Sequence, residues 1–308
     1  MPTLATCPAR EAPTFFMQPT RFLFLAEWLQ SLHNFPISPF IKVREGARDR
    51  PPLYLFHTGV GHVRGYQPLI AALDPADPIY GIQMRAIGNP AIDARDFDAV
   101  IRDVDVIRPN HPGGSYRLLG WSHGGLIAMG MAARLSDLGA GVSFVGLIDT
   151  DVPQELDVAD WKGRLIEFLK DPEDQASLAA LPERELAELE QFLTNVAPSE
   201  RPAAAALWGR EKGLWFNHVS LEVLRLEASL WRHVAAIEDT FKPPRFKGDL
   251  HIWWAKASLM KGDVPAVDWA EISGAKTHDM IIDADHHSVI ASPDLHASIR
   301  QVLARLDA

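Results

Sequence analysis

The sequence is poor in cysteine and in long apolar runs, and these absences exclude several classes of protein. Cys7 is the only cysteine among 308 residues, so we expect no disulfide framework and no cysteine-ligated metal. No apolar run is long enough to span a bilayer. Phe22–Leu29 is apolar, but Arg21, Glu27 and the lack of a cleavage site argue against a signal peptide. We therefore expect a cytoplasmic protein that does not bind membranes.

Positive charge is also scarce. The chain has 30 Lys and Arg residues against 40 Asp and Glu residues, which gives a net charge of −10. Because binding to a phosphate backbone requires a basic surface, we expect no nucleic acid partner. A hydrophobic fraction of 47% over this length is sufficient for one large α/β domain or two smaller ones.

From residue 51 onward, apolar runs that predict strands alternate with segments that predict helices. The predicted strands are Leu53–Phe56, Ile79–Met84, Tyr116–Trp121, Phe144–Ile148, Leu250–Trp254 and Asp279–Ile282. The predicted helices are about Gly65–Leu73, Ala94–Ile107, Leu126–Leu135 and Pro293–Leu306. Each strand is a largely continuous apolar run, which predicts an α/β fold with a mostly parallel sheet covered by helices on both faces.

Two regions depart from this alternation. Residues 1–50 are predicted to be an N-terminal segment, with a short helix at Thr20–Leu32 and a proline-rich linker, ahead of an α/β domain at 51–308. Residues about 155–235 show helical periodicity only, as an insertion at the sheet edge where ligands bind. We interpret it as a lid rather than a plain helical layer, because its aromatic residues exceed what a thin layer needs. The aromatic residues predicted to contact substrate are Trp208, Trp215, Phe216 and Trp231.

Residues Gly120–Gly124 form a G-x-S-x-G motif at the point where a predicted strand passes into a predicted helix. That context is the one the motif requires, because the serine lies on a sharp strand-to-helix turn. The flanking glycines let strand and helix approach closely, and the helix N-terminus favours developing negative charge. Ser122 is therefore the candidate nucleophile.

A serine hydroxyl needs a histidine to accept its proton, and the histidine needs an acid to fix its tautomer. The pair His286 and His287 follows the strand that ends at Ile282, where this fold places its base. We favour His286. Two acids compete: Asp149 directly follows a buried strand, and Asp263 follows the next predicted strand. We favour Asp149 because the strand fixes its position at the active edge.

The tetrahedral intermediate of acyl transfer carries an oxyanion that needs two backbone N–H donors. One donor is predicted at His123, directly after the nucleophile. The other is predicted in the loop His57–Gly61, which follows the first predicted strand, and the candidates there are Thr58 and Gly59.

Taken together, these motifs resemble a known family. Residues from about 51 to 305 resemble the type I thioesterase domains that end nonribosomal peptide and polyketide synthases. The segments that carry the resemblance, in order and at matching spacing, are Pro51–His57, Pro78–Gln83, Tyr116–Gly125, Leu147–Asp149 and Asp285–Ser288.

The resemblance implies an α/β-hydrolase fold with a helical lid and a triad of Ser122, Asp149 and His286. It also implies a thioesterase that attacks an acyl or peptidyl thioester and releases the chain as an acid or a ring. No metal or bound organic cofactor is implied, because the phosphopantetheine arm arrives with an acyl or peptidyl carrier protein as the partner. Phe16–Leu29 looks like the last helix of a carrier domain that lacks the carrier serine, so both an excised domain and a free-standing protein stay open.

Three other functions compete with this interpretation. A free-standing editing thioesterase usually shows Gly-His-Ser-Met-Gly and a later acid, unlike Gly120–Gly124 here. An acyltransferase of the same fold would use an amine or alcohol in place of water. A binding protein on a silent hydrolase fold is disfavoured, because candidate nucleophile, acid and base are all present.

Overall fold

The computed structural model describes residues 39–87, 92–111, 114–153, 165, 172–217, 219–260 and 267–307. Cys7, the predicted helix Thr20–Leu32 and Asp263 lie outside the described residues, as does most of the stretch 154–171. Among the helices in the described ranges, none combines the length and the apolar composition needed to cross a bilayer.

A seven-stranded, mostly parallel sheet forms the centre of the described structure. Its strands are β1 (Phe40–Arg44), β2 (Leu53–Phe56), β3 (Ile79–Ile82), β4 (Tyr116–Trp121), β5 (Val142–Ile148), β6 (Asp249–Ala255) and β7 (Lys276–Ile282). Their spatial order is β1-β3-β2-β4-β5-β6-β7, and only β1 runs antiparallel to its neighbour, β3. The predicted α/β class is confirmed.

Helices connect the strands and form the region between β5 and β6. Before that region lie α1 (Gln67–Ala72), α2 (Phe97–Ile101), α3 (Val104–Ile107) and α4 (His123–Asp137). Between β5 and β6 lie α5 (Pro172–Ala179), α6 (Glu183–Leu193), α7 (Arg201–Glu211) and α8 (Leu221–Thr240), which we call the helical insertion. The last three are α9 (Lys256–Leu259), α10 (Trp269–Ser273) and α11 (Pro293–Leu306).

Side chains of successive strand residues enter different hydrophobic clusters, one on each face of the sheet. In β2, Tyr54 and Phe56 pack with α4, whereas Leu53 and Leu55 pack with α1 and α11. This follows from the period of two along a strand. A third cluster lies within the helical insertion and includes the loop after β3, around Met84. The insertion therefore has a hydrophobic core of its own beside the sheet.

Two sequence interpretations need correction. The stretch predicted as proline-rich linker contains β1, which pairs with β3 at the edge of the sheet. Pro39 is compatible with that place, because an edge strand tolerates proline, and its carbonyl accepts the Gln83 N–H. The single helix predicted for Ala94–Ile107 is two short helices, and Asp103 between them is held by ion pairs from Arg85 and Arg95.

Candidate active site

Ser122 lies at the sharp turn between β4 and α4, and its backbone conformation is strained. Its φ is 55° and its ψ is −130°, a region that residues with side chains rarely adopt. An added Cβ on Gly120 would lie 2.1 Å from the Gly124 carbonyl oxygen, and one on Gly125 would lie 2.0 Å from the Thr150 hydroxyl. These glycines therefore allow the close approach that the turn requires.

His286 lies in the loop after β7 and faces the Ser122 hydroxyl. Its Nε2 is 3.0 Å from Ser122 Oγ, within hydrogen-bond distance. The His287 ring packs edge-on against it, with 5.3 Å between ring centroids, while the His287 N–H donates to Asp285. Of the two neighbouring histidines, the structure thus brings His286 to the nucleophile.

Asp149 follows β5 and completes a line of hydrogen bonds. Its Oδ2 is 2.6 Å from His286 Nδ1, and its side chain is only 2% exposed. Burial alone would raise the pKa of the Asp149 carboxyl, but hydrogen bonds from His286, Ser258 and Ala255 outweigh burial and hold the pKa below its usual value. The carboxylate is therefore ionised, as needed to stabilise a protonated His286. The structure does not describe Asp263, the alternative acid.

Hydrogen bonds that sequence reasoning missed hold this line in place. Trp121 Nε1 donates to the His286 carbonyl oxygen at 3.1 Å and so fixes the histidine loop. The Trp121 N–H donates to the Tyr66 hydroxyl at 2.6 Å, and Tyr66 donates to the Phe56 carbonyl oxygen at 2.8 Å. Trp121 lies inside the G-x-S-x-G motif, so the motif already indicated that it is close to the site. No sequence pattern indicated a role for Tyr66.

His123 begins α4, so its backbone N–H is among those without an acceptor inside the helix, as an oxyanion donor requires. Its side chain is buried, with Nδ1 3.2 Å from a Glu238 carboxylate oxygen on α8. The His123 ring stacks on that of His57 at 5.8 Å between centroids. The start of α4 therefore lies beside the loop that follows β2.

In the loop after β2, the two other predicted donors differ in surroundings. Thr58 is buried, and its carbonyl oxygen accepts the Gly61 N–H. A Cβ added to Gly59 would meet nothing within 4 Å, so this glycine faces open space. Gly61, by contrast, has a φ of 79°, and a Cβ added there would lie 2.9 Å from the Leu230 side chain of α8. In this loop, Gly61 is thus the position whose backbone conformation requires glycine.

The four aromatic residues predicted to contact substrate occupy different environments. Trp215 and Phe216 are fully buried in the core of the helical insertion, and Trp215 Nε1 donates to the Ala206 carbonyl oxygen. Trp208 and Trp231 are half-buried at the margin of the same core. We therefore assign Trp215 and Phe216 to packing within the insertion rather than to substrate contact.

No group of three or more His, Cys, Asp or Glu side chains within the described ranges is arranged to hold a metal ion. The side chains of Ser122, His286 and Asp149 bring a hydroxyl, an imidazole and a buried carboxylate together in one line of hydrogen bonds.

The free energy of unfolding is expected to fall by about 2 kcal/mol between pH 7 and pH 5 because of His57 alone. Burial, and next the neighbouring His123, lower the pKa of His57 to about 3. Since the ordinary histidine pKa is about 6.5, the unfolded chain binds a proton between these values and the folded chain does not. The stability that neutral His57 contributes is therefore fully present above the pKa of the unfolded state, and it is lost progressively as the pH falls below that value.

Urea unfolding of the parent and of His57→Asn at pH 7 and pH 5 measures how much His57 contributes to this loss of stability. The variant should lose less stability than the parent on acidification, because its amide does not titrate. An equal loss in both proteins would contradict the burial argument.

A family model for the thioesterase domain matches residues 51–303. The dimodular nonribosomal peptide synthase of Bacillus subtilis (strain 168) is 25% identical over 260 residues, which cover 83% of this chain and 10% of that protein. Enterobactin synthase component F of Escherichia coli (strain K12) is 37% identical over 115 residues, 37% of this chain and 9% of that protein. These matches cover about a tenth of each relative's length.

A similar solved structure is the NocB thioesterase domain in covalent complex with a fluorophosphonate nocardicin G analogue. It superposes with a TM-score of 0.58 at 20% identity and covers 86% of this chain and 99% of that domain. At this identity the likeness shows the shared fold.

Proposed function

Because this chain belongs to the thioesterase domain family, as its sequence motifs predicted, we propose that it releases an acyl or peptidyl chain from a carrier-bound phosphopantetheine thioester. Family membership makes it an enzyme that acts on thioesters, and its relatives are nonribosomal peptide synthases. The observation that carries the proposed mechanism is the line of hydrogen bonds from Ser122 through His286 to Asp149.

In the first half of the reaction, Ser122 Oγ bonds to the thioester carbonyl carbon while its proton passes to His286 Nε2. The carbonyl oxygen becomes an oxyanion that accepts from the His123 N–H and from the loop Thr58–Gly59. When the intermediate collapses, the carbon–sulfur bond breaks. His286 returns the proton to the departing sulfur, so the carrier leaves as a free thiol and the acyl group stays on Ser122.

In the second half, water or a nucleophile within the acyl chain loses its proton to His286 and attacks the acyl-enzyme. The bond between the carbonyl carbon and Ser122 Oγ then breaks, and His286 returns the proton to Ser122 Oγ. Water releases an acid, whereas an internal hydroxyl or amine releases a ring. In both halves Asp149 accepts from His286 Nδ1–H, which keeps Nε2 available as the base and stabilises the imidazolium. Serine, imidazole and carboxylate supply all of these steps, so the mechanism uses no metal or bound cofactor.

We assign the role of a lid to the helical insertion. It follows β5 in the chain, so it begins at the sheet edge that carries Ser122 and Asp149. Its helix α8 reaches the active site twice, through Leu230 at Gly61 and through Glu238 at His123. A displacement of α8 would therefore act directly on both halves of the oxyanion hole.

A comparison of three forms of one acyl thioester tests the carrier as partner. The same acyl group is presented on a phosphopantetheinylated carrier protein, on free pantetheine and on N-acetylcysteamine. We expect the highest kcat/KM with the carrier-bound form, by at least about tenfold, because contacts with the carrier hold the thioester at Ser122. Equal values for carrier and free pantetheine would contradict the carrier assignment, and the mass of the product distinguishes acid from ring.

A further inference from the structure

The end of β6 gives Asp149 two hydrogen bonds besides the one to His286. The Ala255 N–H donates to Oδ1 at 2.9 Å, and the Ser258 hydroxyl donates to Oδ2 at 2.6 Å. The strand pairing fixes this approach, because β6 lies beside β5 and the Asp149 N–H donates to the Trp253 carbonyl oxygen at 2.7 Å.

Ser258 differs from Ala255 in the oxygen that it binds. Its hydroxyl shares Oδ2 with His286 Nδ1, and both distances are 2.6 Å. A hydrogen bond on that oxygen therefore takes part of the charge that faces the imidazole, which a bond on Oδ1 does to a smaller extent. Ser258 lies on α9, directly after β6.

A purely structural reading is that the hydroxyl only satisfies its own hydrogen-bonding need. Ser258 is half-buried, so a serine with no further role could bond to solvent instead. It points at a carboxylate that is 2% exposed, and bonds to an ionised acceptor are about twice as strong as neutral ones. The geometry therefore favours a role through Asp149.

We propose that Ser258 is a positioning residue, which holds Asp149 Oδ2 in the orientation that receives His286 Nδ1–H and moderates the charge on that oxygen. This inference rests on the proposed function, because it assigns Ser258 a part in the same triad. The residue acts through Asp149 and touches no reacting atom.

Two effects follow when the hydroxyl is removed. The carboxylate loses one of three donors and rotates more freely, so kcat falls by about tenfold. The remaining charge on Oδ2 interacts more strongly with protonated His286, so the base keeps its proton to a higher pH. The acid limb of the kcat/KM profile therefore moves to higher pH, by about half a unit.

Other charged groups lie in the loop of His286 or on neighbouring elements, and they stay the same in every variant. They are Asp283 and Asp285 in its own loop, His287 beside its ring, Asp151 two residues after Asp149, and Lys256 on α9, which pairs with Asp283. A shift between the parent and the Ser258 variants therefore reports the hydroxyl alone.

The test compares Ser258→Ala, Ser258→Thr and Ser258→Cys with the parent, on an acyl-N-acetylcysteamine thioester from pH 5 to pH 9. Threonine keeps a hydroxyl at the same atom, and cysteine keeps similar bulk with a weak donor. Met260→Ala is the matched control, because it changes an exposed, uncharged side chain directly after the same short helix. Thermal unfolding confirms that each variant folds, and if Ser258→Ala does not, Ser258→Cys takes its place.

We expect Ser258→Ala to have a lower kcat than the parent and an acid limb that lies at higher pH. Its KM should stay within about twofold of the parental value. Ser258→Thr should restore both values, and Met260→Ala should have the parental acid limb to within the error. If kcat falls but the acid limb does not move, Ser258 contributes only to packing and the inference is overturned. Parental kcat and an unmoved acid limb in Ser258→Ala would overturn it as well. Failure of the proposed function is a separate result, since the parent itself would then release no thiol.

Discussion

Asp149→Asn is expected to lower kcat by about 10⁴-fold while the protein stays folded. The asparagine amide can present its NH₂ group to His286 Nδ1, which then accepts and carries its proton on Nε2 instead. That tautomer cannot accept the Ser122 proton, although the Ser122–His286 distance of 3.0 Å is unchanged. Thiol release from an acyl-N-acetylcysteamine thioester, followed by absorbance, measures the loss.

The matched control is Asp151→Asn, which removes an exposed carboxylate two residues farther along the same loop. It should retain parental kcat within about twofold, since the exposed Asp151 carboxylate accepts a hydrogen bond from the N–H of Val152, the next residue. Asp263→Asn tests the competing acid directly. A large loss there, with a small loss in Asp149→Asn, would move the acid to the stretch after β6.

Ser122→Ala is expected to abolish turnover, with a decrease in kcat on the order of 10⁵–10⁶-fold. The variant keeps the turn, because alanine removes only the hydroxyl, so the melting temperature should change by less than about 3 °C. Residual rate would come from the oxyanion donors and from substrate binding alone.

Ser136→Ala serves as its control, because Ser136 is an exposed serine on the same helix α4 and donates to a backbone carbonyl. It should have parental kcat and KM. Substantial thiol release by purified Ser122→Ala, with the rate of the parent, would exclude Ser122 as the nucleophile.

Strand-end reasoning located the residues that the structure brings together. Ser122, Asp149 and His286 follow three different strands, and parallel strands place their carboxyl ends at one edge of the sheet. The sequence pattern therefore predicted that these side chains would meet although they lie up to 164 positions apart.

Contacts between side chains from different elements could not be predicted from the sequence. Ser258 binds Asp149 across 109 positions, and Trp121 binds the His286 backbone across 165. No periodicity or motif reports which hydroxyl or indole lies beside a strand end, because that depends on the register of β5 with β6 and on the loops. Register is a property of the assembled sheet.

The aromatic content of the helical insertion also led to a prediction that the structure corrects in part. A count of aromatic residues suggested a substrate surface, but Trp215 fills the space against Gly209, where an added Cβ would lie 1.8 Å from its ring. The number of aromatic side chains thus reflects, in part, the core that the insertion needs for itself. The edge strand β1 was missed for a related reason, because the prolines before it suggested a linker.

Intact-protein mass spectrometry during the first turnover tests the central claim most directly. The protein and an acyl-N-acetylcysteamine thioester are mixed, quenched with acid within milliseconds and analysed beside Ser122→Ala. The account predicts a mass increase of one acyl group on the parent, mapped to the peptide that contains Ser122, and none on the variant. An acyl group mapped to another residue, or the same adduct on Ser122→Ala, would contradict it.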